Sequence, residues 1–163
     1  MSQVIKQNVT LDARPSVIFE ALMDSKKHSA FTGAPAKVSR KVGGEFSHHG
    51  GHIGGVNVDI IENKLIVQAW RPKGWAKGTW SLATFSLALV KGGKTKLSFT
   101  HQGVPAAQIK SITSGWKAHY SQPLKAWLKV AAARTKSKSK PAAAAKKPKK
   151  AAVLKRKKAR VCA

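Results

Sequence analysis

TWSLATFSLALVKGGKTKLSFTHQ, residues 79–102, reads as two strands of one β-hairpin. Phe85, Leu87, Leu97 and Phe99 all sit at odd positions. Successive strand side chains point to opposite faces, so these four share one apolar face. Gly92-Gly93 supplies the turn between them. The same alternation of short β-rich runs and turn signals extends back to Ala36. The runs fall at about 37–41, 45–49, 53–61, 64–71, 79–90 and 95–102. Gly43-Gly44, Gly50-Gly51, Glu62-Asn63 and Pro72-Lys73-Gly74 punctuate them, which predicts an antiparallel meander.

Helical periods flank the meander. Residues Gln3 to Leu11 predict one more strand, with Ile5, Val9 and Leu11 on one face. Asp12 and Pro15 mark a helix start, and Val17, Ile18, Ala21 and Leu22 share a helical face. Asp24-Ser25 is positioned to cap a second short helix that reaches Phe31 and ends at Gly33. From Pro105 to about Ala133, Trp116, Tyr120, Leu124 and Trp127 recur at spacings of four, four and three, with Lys117, Lys125 and Lys129 off that stripe. Pro123 is expected to kink this helix, because it removes a donor and crowds the preceding turn. The expected fold is α+β: a curved antiparallel sheet of about six to seven strands wrapped on a long C-terminal helix in a helix-grip arrangement.

Charge divides the chain differently. There are 31 Lys+Arg and 6 Asp+Glu in 163 residues, and all six acids precede residue 63. From Arg134 to Ala163 there are 13 basic residues and no acid, in a stretch dominated by Lys, Ala, Ser and Pro. Val153, Leu154 and Val161 are its only large aliphatics, too few to offset the entropy of ordering it. Residues 1–133 are therefore expected to form one domain and 134–163 a disordered basic tail. The 18 basic residues of the body against six acids leave it at about +12. Cys162 has no cysteine partner, which suits a reducing compartment. It is second from the end, where a prenylation box would need it fourth. No run approaches 18 apolar residues, and Met1 to Leu11 lacks a signal peptide's apolar block, so neither a membrane span nor export is expected. The expected location is intracellular, in a nucleus or nucleoid, otherwise the cytoplasm.

Several motifs occur in a recognisable order: AFTGAPA (30–36), GGEF (43–46), IVQAWR (66–71) followed by Trp75 and Gly78, HQGVP (101–105) and GWKAHYSQPLKAWL (115–128). Over about residues 8–130 the chain resembles the C-terminal domain of the activator of heat-shock protein 90 ATPase homologue family, within the START-like (SRPBCC) superfamily. The resemblance implies the helix-grip fold, heat-shock protein 90 as a partner, and a cavity of the kind that holds apolar ligands in START-like folds. The family's full co-chaperone also carries an N-terminal domain. This chain opens on the START-like domain, so weak stimulation of the chaperone, or none, is expected. The tail resembles the lysine-alanine-proline tails of linker histones and of some bacterial nucleoid proteins.

Candidate sites follow from these regions. Lys136, Lys138, Lys140, Lys146, Lys147, Lys149, Lys150, Lys155, Arg156, Lys157, Lys158 and Arg160 are candidates for sequence-independent nucleic-acid binding, since flexible lysines neutralise phosphates and release counterions. Trp70, Phe85, Phe99, Trp116 and Tyr120 are candidates to line a cavity for a small hydrophobic ligand, or simply to form the core. Trp75 is expected to be exposed between lysines, making Arg71, Lys73, Trp75 and Lys77 a partner-contact candidate. His48, His49 and His52 have imidazoles that suit zinc or nickel, but HHGGHIGG reads better as an exposed glycine-rich hairpin, and no metal or other cofactor is expected. No G-x-S-x-G, H-E-x-x-H or phosphate loop is present. Glu45 and His101 are the one acid–base pair worth testing across the sheet, and no enzymatic activity is expected. The leading expectation is a monomeric, non-enzymatic binding module held to nucleic acid by its tail. The alternatives are a co-chaperone-like activator of the heat-shock protein 90 ATPase and a carrier of a small hydrophobic ligand.

Overall fold

The computed structural model describes residues 3–138. Strand β1 (Ile5–Leu11) leads into helices α1 (Pro15–Met23) and α2 (Ser25–Thr32). The meander follows as β2 (Lys37–Val38), β3 (Glu45–His48), β4 (Ile53–Ile61), β5 (Leu65–Pro72), β6 (Ser81–Val90) and β7 (Lys94–Gln102). The chain closes with α3 (Ile109–Trp116), a π turn (Lys117–Ser121) and α4 (Gln122–Lys138). The seven strands form one antiparallel sheet in the order β1-β7-β6-β5-β4-β3-β2. The first strand thus pairs with the last, and the meander accounts for the remainder. No helix among the described residues is long and apolar enough to cross a membrane.

The hairpin register matches its alternation. Phe85 pairs with Phe99 and Leu87 with Leu97, and all four side chains are buried. The local signals at α2 also act as expected. The Asp24 carboxylate accepts the Lys27 N–H at 2.9 Å, and Gly33 closes the helix in the left-handed region at φ 71°. One strand glycine is fixed by space. A Cβ on Gly55 would lie 1.9 Å from the Ala69 carbonyl oxygen and 2.6 Å from the Phe46 ring. In β4 a bulge between Asn57 and Asp59 lets the buried Asn57 donate to Ser39 O at 2.6 Å while accepting from Gln68 at 3.0 Å.

The long C-terminal helix differs from its expected course in one instructive way. Around Pro123 the helix is not uniformly α. One turn upstream the backbone widens, and Gln122 N–H donates to Lys117 O, five residues back. The extra residue re-phases the inward face. Trp116, Tyr120, Leu124 and Leu128 are buried, whereas the expected Trp127 is half-buried at the core's edge. At about 100° per residue, four-residue spacings drift by about 40° each, and a turn that absorbs one more residue cancels most of that drift. The described part of α4 continues to Lys138, five residues past the boundary expected from composition.

Candidate functional site

Beneath the helix lies a relay of buried polar side chains. The His28 ring faces the Leu22 carbonyl through Nδ1 at 3.1 Å, so Nδ1 carries the proton. His28 Nε2 then accepts from the Tyr120 hydroxyl at 3.0 Å, and that hydroxyl accepts from His48 Nδ1 at 2.8 Å. The three residues come from α2, the π turn and β3. His28 and His48 also stack, with ring centroids 4.1 Å apart. A second relay runs the other way across the sheet. Trp116 Nε1 donates to His101 Nδ1 at 2.8 Å, His101 Nε2 donates to Ser81 Oγ at 2.7 Å, and Ser81 donates to the Trp70 carbonyl at 3.0 Å.

Burial sets the charge state of these imidazoles. It pulls His28 down to about 4, partly countered by the Leu22 hydrogen bond. It holds His48 well below the usual range, with the neighbouring His28 and His49 adding to the effect, and it lowers His101 to about 4. All three are neutral at pH 7, which lets His28 and His101 accept from Tyr120 and Trp116, while His48 only donates. Burial likewise pushes the Tyr120 hydroxyl far above its ordinary value. The relays join helix to sheet through neutral groups.

A cavity of about 360 Å³ opens beside them, between the β3–β4 turn, β5 and α3. Ile53, Trp70, Ile112 and Trp116 give it apolar walls, while His49, His52 and His119 stand at its rim. The structure brings three of the five predicted cavity residues, Trp70, Trp116 and Tyr120, to this lining. Phe85 and Phe99 are buried behind them, with the Phe99 ring 4.3 Å from Trp116 and the Phe85 ring 5.0 Å from Phe99.

Three expectations are corrected. Trp75 is not an exposed contact residue. It is 6% exposed, its indole donates to Gln108, and its ring packs edge-on against Trp70. Arg71 ties the loop down by donating to the carbonyls of Trp75 and Ala76. The exposed aromatic of this region is Trp80, 49% exposed, in an outer groove of about 370 Å³ with Arg71, Pro72, Lys73 and Glu45. Lys77 is exposed on the loop beside it. The histidine segment is not a wholly exposed hairpin, because His48 follows Phe46 inward by strand alternation. Among the described residues no group of three or more His, Cys, Asp or Glu is arranged to hold a metal. Glu45 and His101 do not form a pair: β4, β5 and β6 separate their strands, Glu45 is exposed and His101 is buried.

His28 escaped sequence reading altogether. Its partner Tyr120 lies 92 residues away, and α2 gives no pattern that marks one of its polar positions as buried. His48 carried a legible sign, its two-residue spacing from Phe46. Of the predicted tail residues, Lys136 and Lys138 lie in the last turn of α4. Lys140, Lys146, Lys147, Lys149, Lys150, Lys155, Arg156, Lys157, Lys158 and Arg160 lie outside the described residues.

Residues 12–129 match the family described as Activator of Hsp90 ATPase homolog 1-like protein. The human Activator of 90 kDa heat shock protein ATPase homolog 1 is 31% identical over 111 residues, 68% of this chain and 32% of the relative. The Dictyostelium discoideum homologue is 27% identical over 124 residues, 76% of this chain and 32% of its own length. The chain therefore spans about a third of the length of these curated relatives. Among solved structures, an HSP90 activator from Plasmodium falciparum superposes with a TM-score of 0.74 at 27% identity, covering 77% of this chain and 96% of that one. An Aha1 dimer from Colwellia psychrerythraea shares the fold at a TM-score of 0.67 and 18% identity, covering 78% of this chain and 97% of its own.

Proposed function

Because the chain belongs to the Activator of Hsp90 ATPase homolog 1-like family, we propose that it docks on the 90-kDa heat-shock chaperone and raises its ATP turnover. The observation that carries this reading is the extent of the match. Residues 12–129 run from the end of β1 into α4, and so include both relays and the outer groove. The docking surface proposed is that groove. Trp80 offers a large, half-exposed aromatic face, with Arg71, Lys73 and Lys77 around it and Glu45 as the one acid of the groove. Aromatic and arginine side chains dominate interaction hot spots. The test is steady-state ATP hydrolysis by the purified chaperone across a titration of this chain. Turnover is expected to rise modestly to a plateau, and Trp80→Ala to raise the half-saturating concentration about tenfold or more. No rise in turnover, together with no binding by calorimetry, would sink the proposal.

A second activity, non-specific association with nucleic acid, is proposed for residues 134–163. Their 13 basic residues without one acid favour it. Neutralising Lys155, Arg156, Lys157 and Lys158 is the direct test, and unaltered DNA affinity in that variant speaks against it.

A further inference from the structure

The exposed side of the C-terminal helix carries a pattern that neither docking on a chaperone nor the tail explains. No acid occurs anywhere after Glu62, so α3, the π turn and α4 are built without one. Lys110, Lys117, Lys125 and Lys129 are all exposed along this length. Their spacings are seven, eight and four. Seven and four keep residues on one side of an α-helix, whereas eight would rotate Lys125 about 80° off the row. That eight-residue step spans the π turn at Lys117–Ser121, where the backbone absorbs one extra residue. The turn that keeps the buried stripe in phase therefore also brings the lysines into line. Lys136, seven residues beyond Lys129, continues the row toward the basic C-terminal stretch.

We infer that Lys110, Lys117, Lys125 and Lys129 form a straight phosphate-binding ridge whose partner is the sugar-phosphate backbone of a nucleic-acid duplex. The helix's own electrostatics do not call for these residues. Lys110 stands in the first turn of α3, where the helix dipole disfavours a cation and no acid is present. Lys125 and Lys129 are like charges four apart, an unfavourable pair in an isolated helix. No ion pair among the described residues holds any of the four. A surface selected for solubility alone would mix signs.

The ridge's composition selects the occupant. The residues between the lysines include Ser114, Ala118, Gln122 and Ala126, all small or polar and all exposed. A protein interface would need apolar or aromatic anchors, and a membrane surface would need an apolar face. A single strand would need exposed aromatics for its bases to stack on. None of these lies on the ridge. From Lys110 to Lys129 the helix rises about 28 Å, most of one turn of a duplex. Lys94 borders the same groove as Lys125 and Lys129 and widens the positive surface, with Asp12 as the one acid beside it. This inference does not depend on the tail's activity, because the ridge is a separate set of side chains on a folded element.

The test uses the full-length chain and fluorescence anisotropy with a labelled 20-base-pair DNA duplex over a salt series. Lys110, Lys117, Lys125 and Lys129 are changed together to Gln, and a control variant changes the exposed Lys26, Lys41, Lys64 and Lys91 to Gln. Each neutralised phosphate contact contributes about 0.9 to the slope of log K against log salt. The ridge variant is expected to lose about 2–4 from that slope and about tenfold or more in affinity at 100 mM salt, and the control less than about 1 from the slope. A ridge variant indistinguishable from the control overturns the inference. So does a ridge-dependent loss confined to phosphatidylserine vesicles or to polyglutamate.

Discussion

At the scale of single residues, the unusual investment is in neutral histidines. His28, His48 and His101 are buried, and His28 and His101 must stay unprotonated to accept from Tyr120 and Trp116. Their folded-state values lie below the ordinary 6.5, two of them at about 4. In that window the unfolded chain binds protons that the folded chain refuses. Stability is therefore fully present above pH 6.5, falls as the pH drops toward 4, and levels off below the folded values. His28 and His101 each contribute on the order of 3 kcal/mol across this window. Urea melts at fixed ionic strength are expected to show the midpoint dropping steeply between pH 6.5 and 4, and a midpoint flat across that range would refute it. The relay was only partly legible beforehand. Strand alternation pointed His48 inward beside Phe46, but the geometry that makes Tyr120 its partner spans 72 residues and leaves no local trace. Trp75 and Trp80 were hidden for a different reason. A loop has no period, so nothing in the sequence distinguished the indole that folds under from the one that stays out.

At the scale of elements, the question is what holds the π turn in place. Pro123 lacks the N–H that would bond one turn back, which makes it the obvious cause. Magnitudes favour packing instead. Proline inside a helix costs about 3 kcal/mol, but Pro123 follows directly on the π turn, whose wider backbone already interrupts the regular donor pattern. Straightening the turn would rotate Leu124 and Leu128 away from the sheet, at roughly 1.5–3 kcal/mol each. Recovering one hydrogen bond returns only about 1 kcal/mol. Pro123→Ala is therefore expected to change stability by less than about 1 kcal/mol. A change above about 3 kcal/mol would make the proline the cause. The strands were legible almost to their ends, because alternation and paired glycines are local signals and the register follows from them. The π turn was not, because a proline announces that a helix is perturbed without saying how the chain will absorb it. The expected inward residue was accordingly off by one, Trp127 in place of Leu128.

At the scale of the whole molecule, hydrophobic burial and charge occupy different parts of the chain. Among the described residues the buried apolar side chains run from Ile5 to Leu128, while the 13 basic residues from Arg134 onward make up about half of the net +25. Val130 is exposed, and residues 134–138 of α4 carry no buried side chain. A helix end without packing opens at little free-energy cost, well under 1 kcal/mol. For a domain of this size 1 kcal/mol corresponds to about 4 °C. Chains ending at Ala133 and at Lys138 are therefore expected to melt cooperatively, within a few degrees of each other and of the full chain. Removing 13 like charges at Ala133, or ten at Lys138, also lessens self-repulsion, which gives a direction to the small difference that remains. At low salt the shortened chains are expected to melt slightly higher than the full chain, and the gap is expected to close as salt screens the charges over about 10 Å. A shortened chain that melts more than about 10 °C lower, or without cooperativity, would show that residues beyond Ala133 contribute to the core, and the boundary between folded body and basic extension would have to move.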